Sequence, residues 1–176
     1  MAMKFGIAIL CVMAAVWAGW SLYAAHLAPW TYVAAAAVAL APLVLMSGRQ
    51  ILPRSAEDAR RIGRLVGWAS FAEGVAIFGG VQVVVRMGRP DLIVCLVAAV
   101  AGLHFLPLAR WMPMPRYYLT GLALVAAAGL GLVAPVAYRT SLVAGASAAI
   151  GWLTALSAVL ALPKRRAQPA QASRPG

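Results

Sequence analysis

The stretch Gly67-Trp68-Ala69-Ser70-Phe71-Ala72-Glu73-Gly74-Val75-Ala76-Ile77-Phe78-Gly79-Gly80 is an apolar run with one carboxylate at its centre. It reads as the heart of a membrane-crossing helix, the third of six. Glu73 is the only acidic residue inside any apolar span of the chain. The functional reading therefore turns on this residue.

The surrounding composition sets the solvent. The chain is 64% hydrophobic and only 11% charged, with a mean hydropathy of +0.87. A soluble domain is roughly half apolar and about a quarter charged. Long apolar runs separated by short charged turns belong in a bilayer. At 176 residues, one domain of several crossings accounts for the chain. The net charge of +11 would point to nucleic acid in a soluble protein. Between apolar spans, Arg and Lys instead orient the chain and meet anionic lipid headgroups. No nucleic-acid partner is expected.

Six spans follow, at about residues 5–25, 30–46, 63–85, 92–109, 117–138 and 141–162, giving an all-α polytopic domain over 1–162. The first run exceeds the roughly 7–15 apolar residues of a cleaved signal peptide, so it reads as retained. Pro29 and Trp30 open the second span, and Pro42 inside it withholds an N–H from the Val38 carbonyl, which predicts a bend. Ser55-Ala56-Glu57-Asp58 is a capping box, placing the third helix start near Ala56, in water. Gly63 and Gly67 have the GxxxG spacing of close helix pairs. Pro135 is expected to bend the fifth span, with Arg139 as punctuation before the sixth. The tail 163–176 is basic and polar and reads as disordered.

Basic residues test the topology. With both termini cytoplasmic, twelve of the fifteen lie inside and only Arg86, Arg89 and Arg139 lie outside. That bias fits an even number of spans. The inner cluster Arg49, Arg54, Arg60 and Arg61 is placed to meet anionic headgroups. Cys11 and Cys95 fall at different depths, so neither a disulfide nor a Cys/His metal site is expected.

Glu73 sits about 13 Å beyond an entry near Arg64, close to the midplane. A carboxylate there must face protein, face a water-filled cavity or carry a proton. Small residues, among them Ser70, share its helix face. His104 lies about 9 Å from the cytoplasmic boundary near Arg110, within about a turn of the same depth. An antiparallel hairpin of the third and fourth spans brings the two together. Pro107 leaves the Leu103 carbonyl unbonded beside His104, and kinked helices at this depth line cavities or protein. The site is thus read as Glu73, His104 and Ser70, handling a proton or a cationic or polar solute. The bland alternative is a neutral Glu and a buried His, each bonded to a neighbouring helix. His26, at the outer interface, reads as solvated, and its depth excludes haem shared with His104; no cofactor is expected. Gln82 lies opposite Glu73 on its helix.

No phosphate loop, HExxH, GxSxG or paired-carboxylate constellation is present, so the chain reads as non-enzymatic. The competing function is a non-transporting scaffold, accessory subunit or lipid-associated protein. Six short spans make a thin bundle that suits a homodimer.

Glu73-Gly74, the run Gly102-Leu103-His104-Phe105-Leu106-Pro107-Leu108-Ala109, and Pro115-Arg116-Tyr117-Tyr118 together resemble small bacterial multi-pass membrane proteins of unknown function. The resemblance spans residues 68–118 and implies a bacterial inner-membrane setting.

Overall fold

The computed structural model describes residues 2–47, 49, 55–112 and 114–163, with side chains from Gly6 onward. The chain is all-helical: α1 Ala2–Ala24, α2 Trp30–Met46, α3 Ala56–Arg86, α4 Ile93–Trp111, α5 Arg116–Val133 and α6 Val136–Leu160, with a 3-10 turn at Pro90–Leu92. Five of these are long and apolar enough to cross a membrane. The exception is α2, whose 17 residues span only about 26 Å, against a hydrocarbon core of about 30 Å. The expected basic tail from 164 and Arg54 lie outside the described residues.

Local chemistry sets the helix ends. Ser55 caps α3, its Oγ accepting from the Asp58 N–H at 3.1 Å. Glu57 and Asp58 occupy the first turn and Arg86 the last, each matching the helix dipole. Two helices close on Schellman motifs. At the end of α3, Gly88 (φ 69°) donates to the Val85 carbonyl and Arg89 to that of Val84. At the end of α1, His26 takes the same left-handed position (φ 53°), donating to Tyr23, while Leu27 donates to Leu22. Histidine enters this region more readily than most side chains. His26 is exposed and its backbone forms the turn.

The fifth and sixth helices depart from expectation. Pro135 does not bend a helix that runs on to Tyr138. Instead α5 stops at Val133, and Pro135 adopts extended ψ (138°) as the N-cap of α6. A residue before proline is steered out of helical geometry, and Ala134 is indeed extended, at ψ 147°. Arg139 therefore belongs to the first turn of α6, not to a loop.

In the packing, α6 lies between the two halves of the bundle, against α1 and α2 on one side and α4 and α5 on the other. One core cluster joins Trp17, Val94, Cys95, Ala98, Ala128, Val143 and Ala144. A second joins Ile7, Leu10, Cys11, Ala155, Val159 and Leu162. The cysteines are free, one in each cluster. In contrast, α3 has no buried residue and packs chiefly along α4.

The expected Gly63/Gly67 contact is absent: a Cβ at either glycine meets nothing within 4 Å. The close approach is made by Gly102 and Gly121, between α4 and α5. A Cβ added to either would lie 2.7 Å from the carbonyl oxygen of the other. GxxxG spacing makes close packing sterically possible, but a partner must lie on that face. The outer side of α3 has none among the described residues.

Candidate functional site at the seam of α3 and α4

The connection from α3 to α4 is short, Met87 to Arg89 followed by the 3-10 turn, so the two helices fold back on one another. Gly80 lies against Leu96 near this end, where an added Cβ would come within 2.7 Å of the leucine. Moving seven residues back along α3 and eight forward along α4 covers about two turns on each and returns to the same faces. That step reaches Glu73 and His104. Their facing atoms, Oε2 and Nδ1, are 3.5 Å apart. The side chains are 25% and 11% exposed respectively.

This spacing is longer than a normal N–H···O hydrogen bond. Phe105 stacks edge-on beside His104, centroids 5.9 Å apart, and Tyr117 of α5 stacks edge-on against Phe105 at 5.5 Å. The imidazole is thus backed by aromatic rings on the bundle side and faces a carboxylate on the α3 side. Pro107 lies inside α4, which continues to Trp111. The pair can hold a proton between two groups of opposite charge tendency. Glu73 lies close to the middle of the apolar part of α3.

Ser70 does not join them. It is exposed on α3, and the site reduces to two residues. Three positions before Glu73 is 60° away around the helix, enough to carry Ser70 out of the α4-facing seam. Gln82 is likewise exposed. Arg49, expected at headgroups, donates from Nη1 to the Leu162 carbonyl at 2.9 Å, capping the chain beyond α6.

A second charged group goes beyond the sequence reading. Arg139 is only 5% exposed. Its Nε donates to the Gly131 carbonyl at 2.7 Å, and its Nη2 to those of Ala134 at 3.0 Å and Leu132 at 3.3 Å. Its Nη1 donates to Asp91, whose carboxylate also accepts from Arg89 at 3.1 Å. The guanidinium satisfies carbonyls that the end of α5 leaves open and opposes the negative end of its dipole. One signal was available: Arg139 is the only charged residue between Arg116 and Lys164. A lone arginine in so long an apolar stretch is costly unless paired.

Comparison with protein-family models, curated proteins and solved structures finds no match to this chain.

Proposed function

We propose that the protein is a small proton-linked transporter or channel-like protein of the bacterial inner membrane, with six spans and both termini cytoplasmic, and with Glu73 and His104 as its proton or cation site. The observation that carries this reading is the 3.5 Å approach of carboxylate and imidazole midway along an apolar helix. Ionisable groups at such depth are expensive and serve pathways for protons or ions. The basic-residue bias supports the orientation, and α2 supplies the sixth, shorter span. Protonation of Glu73 removes a charge from the α3–α4 seam. Loss of that proton places a carboxylate opposite the His104 ring across the same gap. The two states differ in how tightly α3 is drawn to α4, so a proton gradient biases the exposure of the site to either side.

The test is flux in proteoliposomes carrying a pH gradient. The native protein is expected to move protons or a co-transported cation, and Glu73→Gln to lose that flux about tenfold or more. Flux that is equal in both, or missing from both, overturns the reading.

A non-transporting role, as scaffold or accessory subunit, is favoured by one observation: α3 leans on α4 with none of its own residues buried. It predicts a stable protein partner recovered through α3 and no flux.

A further inference from the structure

We propose that the outer face of α3 holds an anionic phospholipid, its phosphate on Arg64 and Arg60 and one acyl chain in the groove over Gly67 that Arg64, Trp68 and Phe71 line. This inference rests on the membrane reading above but not on transport.

The groove is an open concavity of about 370 Å³, lined by Arg64, Gly67, Trp68 and Phe71. Its shape follows from four residues. Trp68 and Phe71 stand edge to face, centroids 6.2 Å apart at 89°, and both are largely exposed, at 72% and 65%. Gly67 forms the floor, where a side chain would meet open space. Arg64 closes the end nearer the helix N-terminus. Arg60, Arg64, Gly67 and Phe71 are spaced four, three and four residues apart, so they share one face. That face is turned about 160° from the α4-facing stripe that carries Glu73 and Gly80, at 100° per residue. Bilayer, not the bundle, covers it.

Charge and depth select the occupant. Arg60 and Arg64 are exposed and lie one turn apart, about 6 Å along the axis, within reach of one phosphate. Guanidinium groups bind phosphate through paired donors. Phe71 lies about 10 Å further along the axis than Arg64, in the direction an acyl chain descends from its headgroup. Arginine stems lie along apolar surface while their heads stay at the interface. A basic, aromatic-walled notch opening to lipid therefore matches a negatively charged headgroup with an attached chain better than it matches a free anion.

The experiment is lipid retention by the full chain in detergent, read by native mass spectrometry against phosphatidylglycerol, phosphatidylcholine and inorganic phosphate. One retained phosphatidylglycerol is expected, with at least fivefold weaker retention of phosphatidylcholine and no competition from phosphate. Arg64→Gln and Gly67→Leu, the second filling the groove, are each expected to reduce retention about fivefold or more. Gly74→Leu, also in open space but two turns further on, is the control and leaves it unchanged. Glu73→Gln also leaves it unchanged, which separates this site from the proton site. Equal retention in all variants, equal retention of both lipids, or no retained lipid overturns the proposal. So does a native dimer that Gly67→Leu converts to monomer, which would assign the groove to a second copy of the chain.

Discussion

Trp152 of α6 donates its indole N–H to the Val38 carbonyl of α2 at 2.8 Å. This is the carbonyl that Pro42, four residues on, leaves without an intrahelical donor. Pro42 is fully buried inside α2. A donor missing from one helix thus becomes a docking point for another. In a bilayer, a freed carbonyl needs such a partner, because no water replaces it.

Trp152→Phe is expected to cost about 0.5–1.5 kcal/mol, the net worth of a single hydrogen bond. With Pro42→Ala already in place, the new alanine's N–H takes the Val38 carbonyl and the same change should cost less. A double-mutant cycle on unfolding in detergent measures the difference. Strict additivity would show that the indole bond does not substitute for the missing one.

The Gly102–Gly121 contact makes a second prediction. Gly102→Ala and Gly121→Ala each place a methyl against a carbonyl oxygen of the facing helix, at 2.7 Å before any relaxation. Backbone cannot move aside as a flexible side chain can, so each is expected to lose about 1–3 kcal/mol. Gly67→Ala meets nothing within 4 Å and should be neutral or slightly stabilising, since alanine is the better helix former. Thermal unfolding of the three variants checks the ordering.

The two arginines on Asp91 should behave unequally. The Arg139 side chain is 6% exposed and that of Arg89 51%. Arg139→Ala leaves Asp91 with Arg89 alone and opens three carbonyl contacts at the end of α5. It is expected to lower the apparent Tm by more than about 5 °C. Arg89→Ala removes a solvent-screened partner and should shift it by about 2 °C or less. Comparable losses would place the stabilising contact at Arg89 instead.

Much of this architecture can be read along the chain. The start of α3 at Ala56 follows from the spacing of Ser55 and Asp58, and the membrane setting from hydropathy. The meeting of Glu73 with His104 is legible because a short turn forces a hairpin, and a hairpin pairs residues equally distant from it. Ser70 falls outside the site because a 60° rotation separates seam from surface. Helical spacing alone does not say where the neighbouring helix sits. Pro135 reads as a bend and is a stop, with Arg139 folded into the helix that follows.

Hydropathy, capping residues and turn length act over a few neighbours, so the chain alone determined most of its helices and the position of Glu73 midway along an apolar one. Which glycines touch, which carbonyl receives the Trp152 indole and which charge Arg139 meets depend on the rotation and crossing of helices far apart in the chain. Those relations exist only once α6 has packed between α1 and α5, and for that reason only the tertiary structure decided them.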